Sequence, residues 1–407
     1  MEILRIIILV IEILVFAYLA FSTLYIFVYG VASLFKRKIR EKKNDLQRKF
    51  VVLIPGYKED FVIVNVAKEA LNQDYPKDLY EVIVIADSFK QETLDELRKL
   101  PIRVVEVVFE VSKKSKALNK CMEIIGDNYD AVMILDADNV MESNVIAKMN
   151  DALNRGYIAV QGHRCAKNFN TDVAILDALS EEINNNIFRE GHRVLGVASA
   201  LIGSGMAFDY QLYKEIMKSV DSVGEDKEVE MRLLKRGYTI EYLKDAHIYD
   251  EKTSKSDVFV NQRRRWLAAQ ILHFRDYFFD AFWSLLSKGN FNYFDKALQM
   301  VQPPRILLFG LLFILSCIAA LFDFGNFFSS VWFAPHFYYW LGLFVATSFT
   351  LLICIPKRLY SKDTFRALFL STPKAFFLML KSLFKVKGAG QKFIHTTHSH
   401  NENKKIN

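Results

Sequence analysis

Only four cysteines occur in 407 residues. Cys121, Cys165, Cys317 and Cys354 lack metal-type spacing, and two of them fall in apolar runs, so buried reduced thiols are expected. The chain also lacks an internal repeat and a low-complexity tract. No nucleic-acid motif accompanies the net charge of +7, so no nucleic-acid partner is expected. The basic residues cluster beside apolar runs, at Lys36, Arg37, Lys38, Arg40, Lys42 and Lys43 and again at Lys357, Arg358 and Lys362. Anionic lipid headgroups explain that placement. Finally, no small-residue cleavage site follows the first apolar run, which predicts a retained helix rather than a removed signal peptide.

What is abundant is apolar surface, at 52% of residues. From Ile6 to Phe35 the only charged side chain is Glu12, and this stretch exceeds the roughly 20 residues needed to span a bilayer. Ile306 to Phe322 and Phe333 to Ile355 are two further candidate spans. Their basic flanks place the intervening domain and the C-terminal tail on the cytoplasmic side, with the N-terminus and the 323–332 loop outside. This matches a bacterial inner membrane protein. Phe274 to Leu286 and Phe365 to Phe384 mix apolar residues with charges or Pro373, which predicts helices lying in the interface. The expected division is 1–35 for the first span, 36–49 for a basic linker and 50–273 for the central domain. Interface helices then cover 274–302, two spans 303–356, and a further interface helix with its tail 357–407.

Between the spans, β-rich runs alternate with helical patterns. Phe50 to Ile54 precedes Val62 to Leu71, Val82 to Ala86 precedes Thr93 to Leu100, Val104 to Phe109 precedes Ala117 to Ile125, and Ala131 to Leu135 follows. The alternation predicts an α/β domain with a mainly parallel sheet, whose ligands bind beyond the carboxyl ends of the strands. Asp87, Asp136 and Pro55-Gly56-Tyr57 all follow such ends.

Asp136-Ala137-Asp138 sets two carboxylates on one side of an extended segment, suited to a hard divalent cation such as Mg2+ or Mn2+. About five acidic-x-acidic triplets are expected by chance from 46 acidic residues in 407, so its place after a strand carries the weight. Asp87 can accept from a base or ribose, or cap a helix. Lys114 and Lys116 sit at a helix start, where cations are disfavoured unless an anion such as phosphate is near. Glu225-Asp226 is either a capping pair or holds a general base for an acceptor hydroxyl. In Gln262-Arg263-Arg264-Arg265-Trp266, guanidinium forks suit a diphosphate and the indole suits a sugar face, although Arg and Trp also anchor helices at membrane interfaces.

In this order, the motifs from about residue 50 to 270 resemble the membrane-bound family 2 glycosyltransferases, the group of cellulose, chitin and hyaluronan synthases, with their D, D-x-D, E-D, Q-x-x-R-W signature. The resemblance implies a GT-A fold, a UDP-sugar donor, Mg2+ or Mn2+ and inverting transfer. It assigns uridine contact to Asp87, nucleotide and metal to Asp136 and Asp138, and the base to Asp226 beside Glu225. It gives the diphosphate to Gln262 and Arg265 and the acceptor site to Trp266. Gly203-Ser204-Gly205 resembles the family's acceptor-side loop. Phe393 to His398 resembles the gating loop of cellulose synthases, which would bring His395 or His398 to the diphosphate; a polar tail is the other reading.

Polymer-secreting synthases have more spans than the three expected here, and three helices do not readily enclose a polar path. The implied activity is therefore extension of a cell-surface polysaccharide, with a homo-oligomer or an export partner forming the channel. The alternative is addition of one sugar to a lipid-linked acceptor. A catalytically silent, nucleotide-binding membrane scaffold is the reading of another class, and the presence of every carboxylate in the signature argues against it. Donor sugar and linkage are not legible.

Overall fold

Strand β1 (Phe50–Tyr57) is buried on both faces, which its unbroken apolar run Phe50 to Ile54 requires. Val51 and Leu53 enter one hydrophobic core with Ile83, Ile85, Val132 and Ile134. Phe50, Val52 and Ile54 enter a second with Val82, Val84 and Met133. The two-residue period thus builds two cores from one sheet. In this computed structural model, described for residues 2–222, 224–253, 256–325 and 335–385, the sheet has eight strands in the order β3-β2-β1-β4-β7-β6-β8-β5. The others are β2 (Tyr80–Asp87), β3 (Arg103–Val107), β4 (Ala131–Ile134), β5 (Val140–Met141), β6 (Ala159–Ala166), β7 (Met206–Asp209) and β8 (Ile240–Asp250).

Helices cover both faces. After the N-terminal α1 (Glu2–Ala32) come α2 (Ile63–Ala70), α3 (Gln91–Leu97), α4 (Lys114–Ile125) and α5 (Val145–Asn154). α4 seals the first core and α2 and α5 the second, each through residues spaced by three or four. α6 (Asp172–Asn184) continues through a π-helical turn, Asn185–Gly191, into α7 (His192–Val194). α8 (Tyr210–Met217) and α9 (Glu225–Lys235) complete the first core.

The sheet is mixed rather than wholly parallel. β3, β2, β1 and β4 run parallel, as do β6 and β8, while β7 runs antiparallel to β4 and β6. The reversal positions the site. Because Met206 pairs with Ile134, the Gly203-Ser204-Gly205 loop that enters β7 lies at the same edge where β4 ends and Asp136 begins. Tyr57 pairs with Asp87 and Ala166 with Asp250, so five strands deliver their ligand-bearing ends to one edge.

On the C-terminal side, α10 (Ser256–Lys288) is one continuous helix of 33 residues, and α11 (Phe291–Val301) packs against it. α12 (Arg305–Phe324), α13 (Phe337–Ile353), α14 (Lys362–Arg366) and α15 (Thr372–Phe384) follow. Among the described residues, three helices are long and apolar enough to cross a membrane: Ile3–Ala32, Arg305–Phe324 and Lys362–Phe384. The last covers the stretch expected to lie in the interface. Pro373 does not break it, because this proline falls in the first turn of α15, where its missing N–H is not needed, and a π-helical turn joins it to α14. α13 is apolar but has only 17 residues. Most of the 323–332 loop and the whole of 386–407 lie outside the described residues.

α1 is tied down by polar groups as well as by packing. Tyr25 and Tyr29 donate to Asp295 Oδ1 on α11 at 2.7 and 3.0 Å, and His192 lies 3.2 Å from Asp295 Oδ2. Gly191 is required where this bundle is tightest: a Cβ there would sit 1.9 Å from the Tyr29 carbonyl oxygen.

Candidate active site

Asp136 follows β4 and is only partly covered, whereas Asp138 is buried. The turn between them is held by its neighbours. The Asp136 N–H donates to Ser204 Oγ at 2.9 Å, Ser204 donates to Asn139 at 2.7 Å, and Asn139 donates to Asp138 Oδ1 at 2.8 Å. Lys167 donates to the Asp138 carbonyl. Ser204 therefore acts as a strut of the acidic turn. Gly203 and Gly205 have φ of +84° and +64°, and at Gly205 a Cβ would lie 2.7 Å from Ile248.

Lys114 Nζ occupies the centre of this edge. It donates to Asp136 and to the Gly203 carbonyl at 2.7 Å, and lies 3.4 Å from Glu225 Oε1. Burial opposes its charge, but Asp136, Glu225 and Asp226 outweigh burial and raise its pKa. Lys116, two residues on, is exposed and reaches only the Val111 carbonyl at 3.4 Å. Ser115, Leu118 and Met122 fix the buried face of α4, which turns Lys116 outward. Of the two lysines read from the sequence, Lys114 is the one at the carboxylates.

Glu225 and Asp226 open α9, with Gly224 as the preceding residue and no side-chain cap. Asp226 Oδ1 accepts the Lys227 N–H at 2.8 Å. Burial pushes Glu225 up to about 7; Lys114 pulls it down and Asp226 pushes it up. From the other wall, α10 brings Arg265, whose pKa is lowered by burial despite the opposing pull of Glu225, Asp136 and Asp226. Gln262 and Trp266 line the same cavity, and Arg263 stacks 4.3 Å from the Trp266 ring centroid. Asp87 ends β2, buried, and accepts from Ser88 at 2.9 Å.

One cavity of about 1930 Å³ contains Asp87, Asp136, Asp138, Gly203, Glu225, Asp226, Gln262, Arg265 and Trp266. It does not end there. It runs past Gln302 and Arg305 to Phe309, Phe344 and Phe369 on the apolar helices. His398 and His395 lie outside the described residues.

Among the described residues, two sets of side chains are candidates for a metal. The carboxylates of Asp136 and Asp138 are hard oxygen donors of the kind Mg2+ and Mn2+ take. His163, Cys165 and Glu182 also converge, within 4.8 Å, but away from the cavity. That set does not fit a hard cation. Arg358 already fills it, 2.6 Å from Glu182, and burial, with Glu182, pushes the Cys165 thiol up to about 12.

The profile of the glycosyltransferase-like family 2 matches residues 47–269, and the chain belongs to that family. Among its relatives is the probable glycosyltransferase YdaM of Bacillus subtilis, 28% identical over 243 residues that make up 56% of each chain. Another is a beta-monoglucosyldiacylglycerol synthase of Nostoc, 23% identical over 246 residues, 58% of this chain and 51% of that one. The chain thus spans about half the length of the curated relatives it matches. The mannosyltransferase PcManGT of Pyrobaculum calidifontis, solved with GDP-Man and Mn2+, shares the fold, with a TM-score of 0.51 at 16% identity. That match covers 85% of this chain and 99% of that one. The chain has the GT-A-like α/β fold that this family match and structural likeness define.

These matches correct the resemblance to cellulose, chitin and hyaluronan synthases. None of the three relatives bears the name of a polymer synthase, and one is named for a lipid carrying a single glucose. The few apolar helices agree with that correction. The D, D-x-D, E-D, Q-x-x-R-W order lies wholly within the matched residues 47–269.

Proposed function

We propose that this protein transfers a single sugar, with inversion, from a UDP-sugar to an acceptor lipid in the membrane. The observation that carries the reading is the continuity of the cavity from Asp226 and Asp136 to the apolar surfaces of α12 and α13. A volume of about 1930 Å³ exceeds the roughly 300–1,000 Å³ of ordinary small-molecule sites, leaving room for a donor and an amphipathic acceptor together.

In this reading Asp87 holds the uridine, while Gln262 and Arg265 orient the diphosphate. Arg265 supplies paired donors to the phosphate oxygens, where charge grows as the bond to the sugar breaks. Asp136 and Asp138 are the residues to hold Mg2+ or Mn2+, which when bound supplies positive charge to the leaving diphosphate. Lys114, already on Asp136 and 3.4 Å from Glu225, balances negative charge at this edge. Trp266 offers an apolar face to the acceptor sugar or headgroup.

Asp226 is the base. The acceptor oxygen attacks the anomeric carbon, its proton passes to the Asp226 carboxylate, and the bond to the diphosphate oxygen breaks with its electron pair leaving on UDP. A single displacement inverts the anomeric centre. The test is Asp226→Asn, measured for UDP release and for donor binding. Loss of turnover by about 100-fold or more with donor affinity kept is expected for a general base; undiminished turnover would refute the assignment of Asp226, and donor binding with no turnover in the wild type would leave a nucleotide-binding scaffold.

A further inference from the structure

The cavity changes character at Gln302-Pro303-Pro304-Arg305. Towards the sheet it is lined by carboxylates, and beyond Arg305 by Ile306, Phe309 and Phe344. Two polar side chains at this junction are incompletely satisfied. Gln302 is only 7% exposed, yet neither its amide nitrogen nor its amide oxygen has a hydrogen-bond partner. Arg305 donates from Nη2 to the carbonyl and hydroxyl oxygens of Ser180, at 3.0 and 3.1 Å, while its buried Nη1 has no partner.

Arg305 also differs from the arginines around it. Asp177, Ser180 and Glu181 occupy one face of α6 by their spacing of three and four. Arg263 pairs with Asp177, and Arg164 and Arg189 pair with Glu181 at 2.7 and 3.2 Å. Arg305 falls on Ser180, and among the described residues no carboxylate pairs with it. An un-neutralised guanidinium and an unpaired amide are costly to bury without an anion to meet them. Both stand where the carboxylate-lined chamber opens into an apolar groove.

We propose that Arg305 and Gln302 form a headgroup subsite for an acceptor lipid carrying a phosphate ester, with the lipid chains in the groove along α12, α13 and α15. The guanidinium fork and the amide N–H take the phosphate oxygens, and the accepting hydroxyl lies on the far side of the phosphate, towards Asp226. This rests on the lipid-acceptor reading above and gives that acceptor its charge.

The test uses the full chain in detergent, titrated with dioctanoyl phosphatidylglycerol, with dioctanoylglycerol of the same chains, and with inorganic phosphate. A charge-assisted bond predicts that the phospholipid binds about 10- to 100-fold more tightly than the neutral lipid. Arg305→Gln removes that preference, Arg305→Lys keeps part of it, and Gln302→Leu weakens it by several-fold, so the proposal survives the misfolding of any one variant. Equal binding of both lipids, or an undiminished preference in Arg305→Gln, overturns the phosphate subsite while leaving a lipid acceptor intact. Inorganic phosphate binding as tightly as the phospholipid overturns it in favour of a free-anion site. Failure of every lipid to bind, with sugar transferred only to soluble acceptors, overturns the lipid-acceptor reading itself.

Discussion

Glu225 offers the sharpest quantitative prediction, because its carboxyl is pushed from 4.5 to about 7 by burial, against the pull of Lys114. The perturbation is Glu225→Gln, which keeps shape and polarity but cannot ionise. The folded protein binds this proton more tightly than the unfolded chain does. Stability from this group is therefore fully present below about pH 4.5 and is lost as the pH rises through about 7. At about 1.4 kcal/mol per tenfold, the span amounts to about 3 kcal/mol, a ceiling because Lys114 relieves part of the charge. For a domain of this size that corresponds to a change in Tm of about 6 to 12 °C between pH 4.5 and 8. The assay is thermal melting of the purified protein in detergent, followed by circular dichroism at matched scan rates. Wild type declines over this window relative to Glu225→Gln. Parallel pH profiles for the two proteins would show that Glu225 is not held protonated by its surroundings.

Other predictions follow from the acidic turn and the bundle. Asp138→Ala removes one of two hard oxygen donors, so Mn2+-dependent strengthening of donor binding, measured by calorimetry with and without chelator, is lost; unchanged Mn2+ dependence would remove the metal assignment. Ser204→Ala unhooks the turn from Asn139 and the Asp136 N–H, costing about 1 to 3 kcal/mol in stability and weakening donor binding, whereas Ser204→Thr retains the hydroxyl. Gly191→Ala drives a methyl into the Tyr29 carbonyl and destabilises the contact between α1 and the π-helical turn by about 3 kcal/mol or more. A melting temperature within error of wild type for this variant would refute that close approach.

The parallel half of the sheet was legible because β1, β2 and β4 are continuous apolar runs bounded by turn residues, and such runs signal strands buried on two faces. The edge that carries Asp87 and Asp136 followed from their places just after the second and fourth predicted strands. The reversal of β7 was not legible: nothing in Met206 to Asp209 states its direction, and only the pairing of Met206 with Ile134 brings Ser204 onto the Asp136 turn. Lys114 and Lys116 shared one sequence signal, a basic helix start, and the buried face of α4 separates them. Asn139, Arg164, Lys167 and Asp250 were missed because their partners come from distant strands and loops. Arg305 lay at the start of a recognised apolar run, and its isolation from carboxylates emerges only once α6 is packed against it. The order of the motifs pointed to the family, whereas acceptor type depends on the membrane-side surface, on which that order is silent.

Product size is the most direct measure of whether a single sugar is added to a lipid. The purified full chain, given a panel of UDP-sugars with Mn2+ and a membrane-lipid extract, is assayed for UDP release and its products are weighed by mass spectrometry. One lipid species heavier by a single sugar is expected, formed in proportion to UDP released and absent with Asp226→Asn. A ladder of lengthening saccharides, or UDP release with no sugar on any lipid, would contradict single transfer to a lipid.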